Sequence, residues 1–555
     1  MPTLCRPYSA SFLLTAAVAS FFALPSRPCF AFPAEDLVTS LPGLDNAPPT
    51  KWYSGYLRYR LPCLDNRLIN THYVYIEKAN DDDDHHIDGG DPDASTTSTT
   101  ASKLRRTAEA TKVDESPLIF WSNGGPGASS LFGLLTELGP FLLNDDSLQT
   151  EEYEQTGVPT LLENKSSWNK LGSLLIFDAP APVGFSYCDD NPEGDGLSCG
   201  GWDDEDSAWN NYHALMAFFG KFPELKTKQL FLTGESYAGV YVPSLARKIL
   251  QHNKGEIPGA AKAGGQNNSF HIPIKGFAVG DACVGTHINC GVQAPIFQLM
   301  FFGGHGQISL KTMGAVRKTC TDEELHTPGG TLSEECDKIL KKALDSAGGF
   351  YEYSLYDDCT YRNGLMSRKR PYRSTARHVD IEARGALNDY TCGGGDVMEE
   401  YVRHPLVREA LHVNPASNFF DGDNGVGFNY TLSETNLMPF YREVVVGKYA
   451  SEGVRVLVYN GDTDPSINSF VAQNWTMQLG LREEEEWKPW TIDACRRMGG
   501  FVNRYEGSFD FLTIRGAGHM VPTYKPEAAF AFLKSWIGGV AYPEYDPNCE
   551  KPLKI

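Results

Sequence analysis

The sequence predicts an α/β fold built on a central, mostly parallel, twisted sheet with helices on both faces. Two patterns carry the prediction. Short apolar runs of strand length recur along the chain: PLIFW (Pro117–Trp121), Leu174–Phe177, Leu230–Leu232, Ile274–Val279, RVLVY (Arg455–Tyr459) and FLTI (Phe511–Ile514). Between them lie stretches of helical spacing, Ala208–Phe219, Val240–Leu250 and Glu527–Trp536, and strands alternating with helices build parallel sheets. A chain of 555 residues can bury a large core, as one domain carrying an insertion or as two domains.

Composition narrows the function classes. With 49 Lys and Arg against 70 Asp and Glu, the net charge is -21, which repels phosphate backbones and anionic lipid and makes nucleic acid an unsuitable partner. Arg6 followed by an apolar run from Phe12 to Leu24, broken at Ser26-Arg27-Pro28, has the form of a secretory signal with cleavage near Ala31. The run is too short to span a bilayer comfortably, although a bipartite organelle-targeting leader fits the same residues. No later run is long and apolar enough to cross a membrane. Residues 1–31 are therefore set aside, and the remainder is expected in the secretory pathway, in a vacuole or lysosome or outside the cell.

Cleavage there leaves eleven of the 13 cysteines. They are scattered, without paired C-x-x-C spacing, so zinc is not expected and disulfides are, with at least one thiol left over. The spacing suits local pairs Cys188–Cys199 and Cys283–Cys290. Sequons at Asn164, Asn267, Asn429 and Asn474 are candidate glycosylation sites.

Taken in order, the alternation in YLRYR and THYVYIEKA predicts an antiparallel hairpin over Trp52–Ala79. Residues 80–116 hold DDDDHHIDGGDPD and a Ser/Thr-rich tract, read as a flexible acidic loop. Its two histidines beside aspartates are metal-ligand types, but nothing apolar is there to fix a geometry. After PLIFW comes Ser122-Asn123-Gly124-Gly125-Pro126-Gly127. Without the Lys and Ser/Thr of a phosphate-binding loop, this suits an oxyanion hole, where glycine lets a backbone N–H approach a reacting carbonyl. Asp203–Asp206 suit the N-terminus of the helix that follows. Residues 286–392 hold many glycines and five cysteines from Cys290 onward, and read as a loop-rich, disulfide-stapled cap inserted into a domain made of residues 32–285 and 393–555.

Gln229–Tyr241 runs QLFLTGESYAGVY: a strand, then G-x-S-x-G, then a helix, the context of a nucleophile elbow. Ser236 is the candidate nucleophile. Serine needs an imidazole to take its proton, and the imidazole needs a carboxylate to fix its tautomer. His519, in RGAGHMVP after FLTI, and Asp464, in NGDTD after RVLVY, both stand just past strand ends; Asp462 competes with Asp464. The chain order Ser, Asp, His is that of α/β-hydrolases.

WSNGGPGASS, DAPAPVGFSY, GESYAGVYVP, YNGDTDP and GAGHMVPTYKP together resemble the serine carboxypeptidases. Weaker matches at YSGYL, TELGP, HGQIS and VRHPLVREALHV keep the family's order, over about residues 50 to 540. The resemblance implies an α/β-hydrolase fold, with Ser236, His519 and Asp464 as triad. It also implies backbone N–H groups of Gly125 and Tyr237 as oxyanion hole, and Asn123, Glu137 and Glu235 as the receptor for a substrate's C-terminal carboxylate. That last set has independent chemical sense, because two adjacent acids share a proton that can be donated to a carboxylate. The expected activity is release of single residues from peptide or protein C-termini through an acyl-enzyme, at acidic pH, without metal or organic cofactor, as a monomer or homodimer. An acyltransferase with the same residues, or a non-catalytic protective or scaffolding partner, are the alternatives.

The chain departs from the family twice. Ala128 stands where the family usually has a cysteine bonded to the one matching Cys392, which makes Cys63 a substitute partner. The family's G-N-G after its central strand appears as Val279-Gly280-Asp281.

Overall fold

The computed structural model describes residues 32–62, 64–80, 115–257, 270–357, 359 and 390–550. The signal segment, nearly all of the acidic loop, Cys63 and Asn267 lie outside the described residues.

The hairpin forms as β1 (Trp52–Leu61) and β2 (Arg67–Ile76). The buried runs become β3 (Leu118–Ser122), β4 (Ser173–Phe177), β5 (Leu230–Glu235), β6 (Ile274–Gly280) and β7 (Arg455–Gly461). The last strands are β8 (Glu483–Thr491), β9 (Met498–Tyr505) and β10 (Phe509–Ile514). Starting from a short edge strand at Leu37–Val38, the sheet order is β1-β2-β4-β3-β5-β6-β7-β10-β9-β8. The six strands from β4 to β10 are parallel, with antiparallel pairs at both margins.

Parallel strands need cover on both faces because their connections lay helices there. Side chains alternate across the sheet accordingly. Leu118 and Phe120 enter one core with Leu230, Leu232, Val456 and Val458; Ile119 and Trp121 enter the other with Phe231, Leu457 and Leu512. The first core is closed by α1 (Asp204–Lys221) and α2 (Ala238–Asn253), the second by the C-terminal helix Pro526–Gly538 through Phe532, Leu533 and Trp536.

Inside residues 286–392 the structure differs from the irregular loops expected. Four helices, α3 (Pro295–Gly304), α4 (Leu310–Thr319), α5 (Asp322–His326) and α6 (Glu334–Asp345), enclose a small core of Leu299, Phe301, Phe302, Val316, Leu325 and Leu340. Ser309, Thr321 and Ser333 cap three of them through side-chain oxygens, a local signal the glycine count had obscured. The Cys320–Cys336 disulfide ties α4 to α6.

Among the described residues, five disulfides use ten cysteines. Cys188–Cys199 and Cys283–Cys290 are as expected, and Cys495–Cys549 holds the C-terminal segment. Cys392 bonds Cys359, not Cys63. The partner of Cys392 thus comes from within the insertion, and Cys392 O accepts from Asp145 N at 2.8 Å.

The acidic start of α1 does more than suit a helix dipole. Asp203 is the N-cap, accepting from Asp206 N at 2.9 Å. Asp204 turns inward and accepts from Tyr237 Oη and Tyr430 Oη, each at 2.7 Å, and from the backbone of Ser433 and Glu434, each at 2.6 Å. Asp204→Ala strands two buried hydroxyls and two backbone donors. Hydrogen bonds to a charged group are the costly ones to lose, so the variant is expected to lose about 3–5 kcal/mol in urea unfolding, and Tyr430→Phe about 1 kcal/mol.

Candidate active site

The site sits past the carboxyl ends of the parallel strands, where loops leave the sheet. β5 ends at Glu235, and Ser236 follows at φ 60° before α2 begins. A positive φ is strained for a residue with a Cβ. It is held by backbone bonds on both sides: Ser236 N donates to Gly280 O, while Ser236 O accepts from Gly239 N and Cys283 N, all at 2.9 Å. The hydroxyl itself has no hydrogen-bond partner among the described residues and is partly exposed.

Two strands along, the turn after β7 carries Asp464, and one strand further the turn after β10 carries His519. His519 Nδ1 and Asp464 Oδ2 are 2.7 Å apart. The competitor Asp462 instead accepts from Gly516 N at 2.6 Å, so it braces the turn. Burial alone would lower the His519 imidazole; the charge of Asp464 and its hydrogen bond leave it raised. Two other histidines stand elsewhere: His404 caps a helix, and His412 Nδ1 lies 3.0 Å from Ser54 O.

The glycine loop after β3 crosses directly over the elbow. A Cβ on Gly124 would lie 2.3 Å from Tyr237 N and 2.9 Å from Ser236 Cβ. Gly125 takes φ 104°, and a Cβ there would meet Gly127 N at 2.5 Å. The loop is anchored by Ser129 Oγ donating to Asp178 Oδ1 at 2.6 Å.

Asn123, Glu137 and Glu235 form one buried cluster. Asn123 Nδ2 donates to Glu137 Oε1 at 3.3 Å and to Glu235 Oε1 at 3.1 Å. Its own oxygen accepts from Trp121 Nε1 and Gly133 N, which fixes which way the amide points. Glu137 lies on a single π-helical turn, Leu134–Leu138, a form found mostly at functional sites. Both carboxyls are nearly inaccessible, and their Oε2 atoms have no donor. Burial pushes Glu137 up to about 7, and burial followed by the charge of Glu137 raises Glu235 well above the usual range. A proton shared by the pair relieves both the missing donor and the repulsion.

Two groups escaped sequence reasoning. Tyr353, from the insertion, stacks on the His519 ring at 4.9 Å and 24°, and its carbonyl accepts from His519 N at 2.7 Å. Its hydroxyl donates to Asp423 Oδ2 at 3.0 Å, and Gly425 N and Gly422 N in turn bond the carbonyls of Pro126 and Gly127. Only the fold brings these segments together, so no local pattern signals them. The second group is a further Ser-His-Asp set. Ser54 Oγ lies 3.1 Å from His72 Nε2, and His72 Nδ1 lies 2.9 Å from Asp178. All three are fully buried and Ser54 donates to Leu411 O, so the set braces the sheet and the glycine loop and meets no substrate.

A family model described as serine carboxypeptidase matches residues 106–539. The chain belongs to the serine carboxypeptidase family. Serine carboxypeptidase ctsa-4.1 of Caenorhabditis elegans is 30% identical over 93% of this chain and 95% of its own length. The lysosomal protective protein of Mus musculus is likewise 30% identical, over 92% of this chain and 95% of its own length. The crystal structure of Kex1(delta)p, a prohormone-processing carboxypeptidase from Saccharomyces cerevisiae, superposes with a TM-score of 0.61 at 21% identity, covering 93% of this chain and 97% of that one, a likeness of fold. This serine carboxypeptidase is a hydrolase of the α/β-hydrolase fold. Among its described residues no helix is long and apolar enough to cross a membrane.

Of the sequons, Asn429 is exposed and Asn474 partly so. Asn164 is buried, and its amide donates to Glu137 O and Gly139 O at 3.3 and 2.9 Å. Asn164 therefore supports the turn that carries Glu137, and the expectation of a glycan there does not fit its surroundings.

Gly124→Ala is expected to displace the elbow. Because a shift of about 1 Å at a reacting group can cost 10²-fold, fluorophosphonate labelling of Ser236 should slow by about that factor.

Proposed function

We propose that this carboxypeptidase removes single residues from peptide C-termini through an acyl-enzyme, and does so best at acidic pH. Ser236 Oγ attacks the scissile carbonyl while His519 takes its proton, and Asp464 holds the ring in the required tautomer. The backbone N–H groups of Gly125 and Tyr237 receive the charge that develops on the carbonyl oxygen. His519 returns the proton to the departing amine. Water, deprotonated by the same imidazole, then hydrolyses the ester.

The observation that carries the reading is the acid pair beside the nucleophile. Glu235 immediately precedes Ser236, and Asn123 joins it to Glu137. A substrate carboxylate approaching two ionised glutamates is repelled; approaching a protonated pair, it accepts a hydrogen bond from that pair, and one from Asn123 when an Asn123 N–H exchanges its glutamate for the substrate. Endopeptidase chemistry has no use for such a cluster. The mouse relative is named a protective protein; a protective role needs no turnover and leaves the partly exposed Ser236 hydroxyl and the His519–Asp464 pair without a use.

Digestion of a peptide library at several pH values tests the reading. Wild type should release single C-terminal residues, and Ser236→Ala none. Release of internal fragments, or transfer of an activated acyl ester to an alcohol without any release of C-terminal residues, would overturn it.

The acid pair also fixes a pH dependence. Protonated Glu137 and Glu235 bind carboxylate, so the KM for free-acid peptides should rise as pH increases through about 7, the value to which burial pushes Glu137. The KM for the matching C-terminal amides should stay flat. Glu137→Gln should flatten the free-acid profile, and a KM lowest at alkaline pH would contradict the assignment.

A further inference from the structure

β6 ends at Gly280, and the next residue is Asp281. Asp281 is fully buried with φ 41°, a conformation that Asp and Asn tolerate better than most residues. Its N–H donates to Tyr459 O at 2.8 Å. Its carboxyl accepts from Asn460 Nδ2 at 3.0 Å and from Gly461 N at 3.0 and 3.2 Å. Neither Asn460 nor Gly461 carries charge.

One oxygen of Asp281, one oxygen of Asp464 and one ring nitrogen of His519 all lie within 4.8 Å of one another. Two carboxylates so close in a site from which water is excluded repel strongly. The other titratable groups facing Asp281 are Glu235 and the buried Tyr459, with Glu137 beyond them, and none can carry positive charge. Among the described residues neither Asp281 nor Asp464 forms an ion pair with Lys or Arg; the one ion pair is His519 with Asp464. Asp464 accepts from Ser466 N at 2.8 Å and Ile467 N at 3.3 Å as well as from His519, so the donors that favour an anion converge there.

We propose that Asp281 is held as the neutral acid, so that Asp464 is the single anion facing His519 and the imidazole remains unprotonated and able to act as base. Asp281 is then a positioning residue, acting through Asp464. The rival arrangement, with both acids ionised and imidazolium between them, holds the same number of protons but offers Ser236 no base. Burial, then the charge of Asp464, push the Asp281 carboxyl well above the usual carboxylate range, in the direction the arrangement requires.

The inference rests on Ser236, His519 and Asp464 being the hydrolytic triad, and the test separates the two. In the full-length protein, kcat/KM for a blocked amino-acid ester is followed against pH. Such an ester has no free carboxylate, so the glutamate pair drops out. The acid limb, which reports loss of the imidazole proton, should fall within about 0.3 pH units of the same place in wild type and Asp281→Asn. Asp281→Ala should lower kcat on the order of 10- to 100-fold by removing a donor to a buried anion, and Asp281→Asn should recover most of that loss. A limb moved about one pH unit or more toward acid in Asp281→Asn would show that Asp281 is anionic in wild type and overturn the proposal. Undiminished kcat in Asp281→Ala overturns it too. Independently of turnover, the infrared difference between wild type and Asp281→Asn should contain the carbonyl band of a protonated carboxylic acid, and absence of that band overturns the proposal. Failure of the triad itself looks different: ester hydrolysis survives Ser236→Ala, and the positioning role falls while the infrared band stays.

Discussion

The site depends on keeping several carboxyl groups out of water without a lysine or arginine to neutralise them. Glu137, Glu235, Asp281 and Asp464 are all buried at one edge of the sheet, and among the described residues the one basic side chain paired with any of them is His519, with Asp464. Four ionised carboxylates cannot coexist there, because desolvation and mutual repulsion both penalise charge. Protons must therefore be distributed unevenly. An uneven distribution, with neutral acids able to give hydrogen bonds and one anion able to orient a ring, would let a single chemical type serve separate ends. The same logic operates wherever environment pushes paired carboxyls apart.

The sheet makes this crowding unavoidable. Six parallel strands deliver their carboxyl ends to one edge, and β5, β6, β7 and β10 are consecutive neighbours. Ser236, Asp281, Asp464 and His519 each follow one of these strands, so their loops must share a small space. The two hydrophobic cores, fed by alternate side chains of the same strands, hold that edge rigid. Strain at Ser236 and the close pass of Gly124 persist because the strands beneath cannot yield. Around the rim, Asp204, Asp178 and Tyr353 tie the elbow, the glycine loop and the imidazole to distant segments. Tyr353 in particular makes the insertion part of the site and not only its cover.

Sequence reading recovered the strands well because buried parallel strands are apolar runs with sharp ends, visible without any partner. It singled out Ser236, His519 and Asp464 because each lies in a tight turn with distinctive neighbours. It underestimated residues 286–392, where short helices capped by serine and threonine were masked by glycines, and it misassigned the partner of Cys392, since pairing depends on distances that no spacing rule supplies. At Asn164 a sequon matched, but the amide was already engaged in holding the Glu137 turn.

What the sequence by itself determined is the sheet, the order of the reactive groups along the chain and the chemistry each can perform, because these follow from local pattern and side-chain type. What only the tertiary structure decided is which groups meet. Asp464 and not Asp462 reaches the imidazole, Tyr353 stacks on it, and the set Ser54, His72 and Asp178 is walled off despite its matching geometry. Asp281, which in sequence is only a departure from a turn motif, proves to stand beside Asp464 and His519. The reason is physical: proximity and burial fix protonation, and both are properties of the packed chain.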